Sequence, residues 1–375
     1  MTFNEVHFHD PRTKTYLGSP SIVRAPDGAL IAAHDYFGPG CPRNHENEEH
    51  LTSIYRSEDD GATWEQITHI ANAYWSTLFT HRGALYLFGV SQQYGSIVIR
   101  RSDDSGFTWT HPADERSGLL FHGGYYHENP NYHTAPVPVL VHNGRIWRAF
   151  EDCVDCVWGG GFASFVISAD ENADLLNASS WTMSNKLTFD SKLIPNGVTP
   201  VREWGWLEGN IVAAPDGSLK NILRLHSWMS GKAAMLDVSA DGKNISFDAA
   251  KSFIDMPGHH SKFTIRRDPK SGNYLSFVNA TKDDPNYWRR NVLSLAVSSD
   301  CIHWKVIREL IRDDSKLSAE DSGKFIGFQY VDWQFDGDDI IYLVRTGYDG
   351  AHTFHDANRI TFHRLKKYVS NGKSA

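Results

Sequence analysis

Acid–base chemistry near neutral pH and recognition of an anion draw on a short list of side chains, and this 375-residue chain is rich in them, with 19 His, 37 Lys and Arg and 15 Tyr. His34 stands out first, because it sits in the otherwise apolar run ALIAAHDYF, where an imidazole titrating near neutrality could act as a base. Further candidates are His50, Tyr132, His133, Arg148 and Glu151, then Glu208, Arg224, His226, Lys262, Tyr330 and Arg345. Around these fall Tyr36, His45, Arg202, Glu203, His259, His260, Tyr287, Tyr348, His352, His355, Asp356 and the loop 153–161. Several cationic donors converging on one place suit an anionic substrate, a uronic or sialic acid. Trp204, Trp206 and Trp288 would stack on sugar rings.

Metal chemistry has thinner support. Cys153 and Cys156 have C-x-x-C spacing, but no second pair stands at zinc-finger distance. No cofactor is required by the chemistry these side chains offer, and a structural Ca²⁺ held by carboxylates and carbonyls would leave no readable signature.

Candidates spread from residue 34 to residue 345 need a scaffold that gathers distant segments, and repeats supply one. Ser57-Glu58-Asp59-Asp60-Gly61-Ala62-Thr63-Trp64 and Ser102-Asp103-Asp104-Ser105-Gly106-Phe107-Thr108-Trp109 both fit S-x-D-x-G-x-T-W. Weaker copies follow at Asp170, Asp241 and Asp300. In such a turn the Asp carboxylate accepts backbone N–H groups, Gly permits positive φ, and Trp packs back beneath. Each copy closes a unit of short strands with a Gly-containing turn, as in SPSIVRA, Pro26-Asp27-Gly28 and ALIAAHDYF. Six such units are counted, and the last is one strand short. The N-terminal NEVHFHD can complete it, closing the ring without a long exposed edge. The expected fold is therefore all-β, one propeller domain over 1–375 with six four-stranded blades. In that geometry the candidates above share one face, while His81, His142 and Arg145 fall on the other.

The remaining composition excludes other classes. A formal net charge of −8 offers no global field for nucleic acid or anionic lipid. No stretch is long and apolar enough for a membrane helix, and MTFNEVHFHD lacks the basic and apolar parts of a leader. The expectation is a cytoplasmic protein, or an exported one whose leader has been removed.

The Asp turns and blade count resemble the sialidase-like propeller superfamily over nearly the full chain. True sialidases start their first strand with Arg-Ile-Pro; here the position reads Tyr16-Leu17-Gly18-Ser19-Pro20, without arginine. Three segments are more similar to ulvan lyases and rhamnose–glucuronate lyases. They are Ala33-His34-Asp35-Tyr36-Phe37-Gly38, Tyr132 to Pro138 with Gly144 to Glu151, and Phe328-Gln329-Tyr330-Val331-Asp332-Trp333. Those relatives are described as seven-bladed, so seven blades is the variant count the resemblance allows. It implies a catalytic histidine, matched best by His34 with His50 as a second, a tyrosine opening one blade, Tyr132, and an arginine sixteen residues on, Arg148, neutralising the uronate carboxylate. It implies β-elimination: a base removes the C5 proton of a 4-linked uronate while Tyr132 or a second histidine protonates the leaving oxygen.

Two other readings stand beside the lyase. One is a glycoside hydrolase using acids among Glu151, Glu203, Glu208 and Asp356. The other is a noncatalytic propeller that binds acidic sugars.

Overall fold

The computed structural model describes residues 1–193, 204–226, 231–258, 260–287 and 289–368. Arg202, Glu203, His259 and Trp288 lie outside the described residues.

Six antiparallel sheets follow one another along the chain. Blade 1 runs outward through Tyr16–Arg24, Leu30–Phe37, Leu51–Ser57 and Glu65–Ala71. Blade 2 uses Tyr74–His81, Ala84–Val90, Ile97–Ser102 and Leu119–Phe121. In blade 3 the inner position is split, since Tyr132–His133 and Leu140–His142 both pair with Arg145–Asp152. Blade 4 begins at Trp206–Ala213, blade 5 at Ile265–Arg267 and blade 6 at Gly327–Asp336. Blade 6 is completed by Asn4–Phe8 pairing with Arg359–Leu365. Six blades closed by the N-terminal strand are what the repeats predicted. The one α-helix among the described residues, Ala319–Phe325, is capped by Ser318 and links blades 5 and 6.

The Asp turns form as their residue types dictate. Asp59 Oδ1 accepts from Ser57 Oγ (2.8 Å) and Thr63 N (2.8 Å), while Thr63 Oγ1 donates to Oδ2 (2.6 Å). Asp104 repeats the pattern with Ser102 and Thr108, and Trp109 Nε1 folds back onto Gly106 O. Gly61 and Gly106 adopt φ of 89° and 104°, which only glycine reaches cheaply. Apolar side chains on both faces of each sheet pack into clusters between neighbouring blades, such as Trp147 and Val166 of blade 3 against Leu223 and Leu225 of blade 4.

Inner strands leave an unpaired edge toward the central axis, and a buried edge must find partners. Neighbouring blades supply them through side chains. Asp332 of blade 6 accepts from Ile22 N of blade 1, Ser21 Oγ of blade 1 accepts from Leu78 N of blade 2, and Thr77 Oγ1 of blade 2 donates to Val137 O of blade 3. Asn210 of blade 4 accepts from Ile265 N of blade 5, and Thr264 Oγ1 donates to Val331 O of blade 6. The axis is thus ringed by polar staples rather than filled by an apolar plug.

Candidate active site

At one mouth of this axis the inner strands do not run straight. Register shifts interrupt the inner pairing between Leu17 and Pro20, Tyr74 and Thr77, Leu207 and Asn210, and Gln329 and Asp332. Within three of these bulges a bulky residue takes positive φ: Trp75 (44°), Glu208 (60°) and Tyr330 (53°). Such conformations cost about 1–3 kcal/mol each and persist where the surroundings impose them. Here they re-aim side chains into a cavity of about 290 Å³.

One wall is acidic. Asp35, at the end of the second strand of blade 1, is buried and lines the cavity. Its Oδ1 accepts from Ser19 N (2.7 Å) and its Oδ2 from Trp75 N (2.9 Å), so two blades hold one carboxyl group. Gly18 is required beside it, because a Cβ there would lie 1.6 Å from Asp35 Oδ1. Burial pushes the Asp35 carboxyl up to about 7, against the pull of the two N–H donors. Glu49 lies nearby, accepting from Gly38 N (2.8 Å) and Tyr74 OH (2.7 Å), and burial raises its pKa as well.

The facing wall is cationic around a tyrosine. Arg224 donates to Glu208 Oε2 at 2.7 Å and to the Tyr330 hydroxyl at 3.3 Å. Burial opposes the Arg224 charge, but Glu208 and Tyr330 more than offset it and raise the pKa. Arg345 stacks 4.9 Å from the Tyr330 ring and 4.5 Å from Phe37, and donates to His355 O. Arg290 lies 5.9 Å from the Tyr330 ring and donates to Gln329 Oε1. All three guanidiniums are buried. Glu208 pairs with Arg224, whereas Arg290 and Arg345 form no ion pair with a carboxylate among the described residues. This wall therefore carries excess positive charge out of contact with bulk water, a setting that favours an anion.

The third wall is aromatic. His133 is buried with its ring edge-on to Trp75 at 4.4 Å and to Trp158 at 5.1 Å. Its Nδ1 lies 2.8 Å from Glu151 Oε2, and Glu151 Oε1 accepts from Gly209 N (3.3 Å), the residue after Glu208. Burial pushes His133 down to about 3 and lifts Glu151 well above the usual carboxylate range. Trp158 is carried by the loop 153–161, whose Cys153 and Cys156 form a disulfide.

The sequence candidates divide accordingly. His133, Glu208, Tyr330, Arg345 and His355 line the cavity, with Glu151 and Arg224 directly behind. His34 does not reach it. Its ring stacks on Tyr55 and His7, its Nε2 lies 3.1 Å from Tyr55 OH, and burial pushes it down to about 3. Arg148 is likewise displaced from the expected face: it is fully buried and donates to Thr77 Oγ1 (2.9 Å), Val137 O (2.6 Å) and Ala135 O (3.0 Å), joining the ring of staples. Lys262 belongs to the same ring through Thr264 Oγ1 and Val331 O, and burial pushes it down to about 8. Tyr132 packs beneath Lys186 against Phe165 in the apolar core. His50 accepts from Asn72 N outside the cavity, and His226 packs against Gly159 of the disulfide loop. Trp204 and Trp206 are core residues packed around Phe189, one stacked and one edge-on, not a sugar-facing rim. Asp35, Glu49, Trp75 and Arg290 were missed. Among the described residues no group of three or more His, Cys, Asp or Glu is arranged to hold a metal ion, and no helix is long and apolar enough to cross a membrane.

No protein-family model matches the chain, and no curated protein does. Solved structures do share its fold. An α-L-arabinanase of Penicillium chrysogenum complexed with arabinobiose is 15% identical, with 98% of this chain and 99% of that one covered and a TM-score of 0.57. The Hadza microbial sialidase Hz136 is 14% identical over 96% of this chain and 68% of that one, with a TM-score of 0.61. A Trypanosoma rangeli sialidase in complex with sialic acid is 14% identical over 93% and 54%, with a TM-score of 0.59. The chain is similar to these in its six-bladed propeller architecture.

Proposed function

We propose that the cavity hydrolyses a glycosidic bond of an acidic sugar. One observation carries this reading: a carboxyl group pushed up to about 7, Asp35, faces a hydrogen-bonded Glu208–Arg224–Tyr330 array across one small cavity. Glycoside hydrolysis asks for two groups with opposed protonation, a proton donor to the leaving oxygen and an electron-rich partner at the anomeric carbon. Asp35 takes the first role. Glu208, with the Tyr330 hydroxyl beside it, takes the second, and Arg224 holds the two in register. The oxocarbenium-like transition state develops positive charge, so the excess cationic charge nearby must be balanced by the substrate. A sugar carboxylate beside Arg345, with Arg290 adding its charge from behind the lining, does this, and Trp75 and Trp158 stack on the apolar ring face. A cavity of about 290 Å³ suits a sugar unit rather than a long chain. The reaction needs no metal or organic cofactor. Structural neighbours complexed with arabinobiose and sialic acid support a carbohydrate ligand.

β-Elimination from a uronate keeps one specific support, the neutral imidazole of His133 in the same cavity as Tyr330 and Arg345. In that reading His133, rather than His34, is the base and Arg345, rather than Arg148, neutralises the carboxylate.

A single product analysis separates the two. Glycosides of sialic and uronic acids and uronate-containing plant and algal polysaccharides are incubated with the protein, and reducing ends and ultraviolet absorbance are followed together. Hydrolysis yields new reducing ends without absorbance; elimination yields an unsaturated uronate absorbing near about 235 nm. Glu208→Gln and Tyr330→Phe should each lower turnover by about a hundredfold or more, with folding retained. Turnover unchanged in both variants overturns the assignment, and saccharide binding without turnover across the whole panel leaves a binding propeller.

A further inference from the structure

The aromatic wall does not end at the cavity. Trp75 contacts Tyr94 at 5.9 Å, and Tyr94 meets His127 edge-on at 5.5 Å. His127 belongs to a short turn whose two preceding residues, Tyr125 and Tyr126, are 64% and 67% exposed. Exposed tyrosines alone mean little, but this turn is held open against the backbone's preference. Tyr126 and His127 both adopt positive φ, 50° and 64°, where a Cβ is crowded and glycine would be expected. Two acids from the loop of blade 1 hold them there: Tyr126 N donates to Glu46 Oε2 (2.7 Å), and His127 Nε2 lies 2.6 Å from Glu48 Oε1. Strain of this kind is retained where it does something, and here it displays two aromatic faces on the rim.

Beyond the tyrosines the surface changes character. Tyr125 packs on His45, with ring centroids 6.4 Å apart, and His45 also lines a groove of about 410 Å³ between blades 1 and 2. Amide, hydroxyl, guanidinium and imidazole side chains line it, among them Asn44, Ser91, Gln92, Arg100 and His111. Reactive cavity, aromatic ledge and polar groove thus lie along one path. A linear glycan has this alternation within every unit, an apolar C–H face and a fringe of hydroxyls.

We infer that Tyr125 and Tyr126 form an outer subsite, with the groove beside His45, that binds sugars of a glycan chain beyond the unit held in the cavity, so that the substrate is an oligosaccharide rather than a monosaccharide glycoside. This rests on the cavity being a saccharide site. The ledge supplies two ring faces, and the groove supplies donors and acceptors for hydroxyls farther along the chain. It contributes binding energy remote from the reacting bond and touches no reacting atom.

The test uses size-fractionated hydrolysates of a uronate-rich polysaccharide, from single sugars to longer chains, with the full-length protein. Affinity is measured from tryptophan fluorescence and, where turnover occurs, as KM and kcat. In the unsubstituted protein affinity should rise with chain length. In Tyr125→Ala/Tyr126→Ala the longer fractions should lose about tenfold in affinity, with kcat on the shortest cleaved substrate unchanged, and Phe at both positions should restore the rise. Affinity independent of chain length in the unsubstituted protein, or an equal rise in the Ala variant, overturns the inference. Binding that depends on the tyrosines without any cleavage would retain the subsite while removing the hydrolytic reading. Cleavage that ignores them would do the reverse.

Discussion

Asp35→Asn separates the electrostatic part of the site from its hydrogen bonding without reference to any substrate. In the folded chain burial pushes the carboxyl up to about 7, against 3.8 for a free aspartate. Between those values the native state holds a proton that the unfolded chain releases, so stability falls as pH rises from about 4 to 7. The difference of about 3 pH units corresponds to about 4 kcal/mol, fully imposed above neutrality and absent below pH 4. Asparagine is never charged and escapes this cost. It has a different one, since only one of its two terminal atoms can accept, while both Ser19 N and Trp75 N donate to Asp35. An N–H left facing an NH₂ costs about 1–3 kcal/mol at any pH. The two effects oppose each other, and their sizes decide the outcome: the variant should be less stable than the parent near pH 4 and more stable near pH 8. Denaturant melts at the two pH values measure it directly. Activity should meanwhile fall by a hundredfold or more, about the contribution of a general acid, and the parent's activity should decline as pH rises through about 7. A stability difference that keeps one sign and size from pH 4 to 8 would refute the raised carboxyl, and with it the acid assigned to the mechanism.

Other perturbations test the scaffold. Arg148→Met should lower the denaturation midpoint, equivalent to about 2–4 kcal/mol, because it strips donors from buried Val137 O and Ala135 O; the surviving folded fraction should turn over normally, and selective loss of kcat would return Arg148 to the chemistry. Asp59→Ala removes the acceptor for Thr63 N, Thr63 Oγ1 and Ser57 Oγ at the end of blade 1. A loss of about 1–3 kcal/mol in chemical denaturation, with unchanged specific activity, is expected.

Much of the scaffold was legible because its signals are local. Ser57, Asp59, Gly61 and Thr63 bond to one another within seven residues, so their repetition along the chain counts blades without any tertiary information. The missing strand of the last blade pointed to the N-terminus for the same reason. The site was legible only in part. His34 and Asp35 are adjacent, and in a strand adjacent side chains face opposite ways. The sequence marked the segment but could not say which of the two residues enters the cavity.

What decided that was the set of bulges at the axis, where pairing slips between Leu17 and Pro20 and turns Asp35 toward Trp75 of the next blade. Tyr330, Arg224 and Glu208 come from blades 6 and 4, with 106 residues separating Arg224 from Tyr330, and no spacing rule announces such a contact. Arg148 shows the converse. The resemblance implied that Arg148, sixteen residues after Tyr132, neutralises an anion, but once the ring closes an unpaired inner edge claims its donors. The sequence by itself determined the six blades and a pool of candidate His, Arg and Tyr side chains, because short-range hydrogen bonding and strand alternation are written in neighbouring residues. Ring closure alone decided which of those side chains staple the axis and which line the cavity, because both tasks use buried polar groups and differ only in which blade stands opposite.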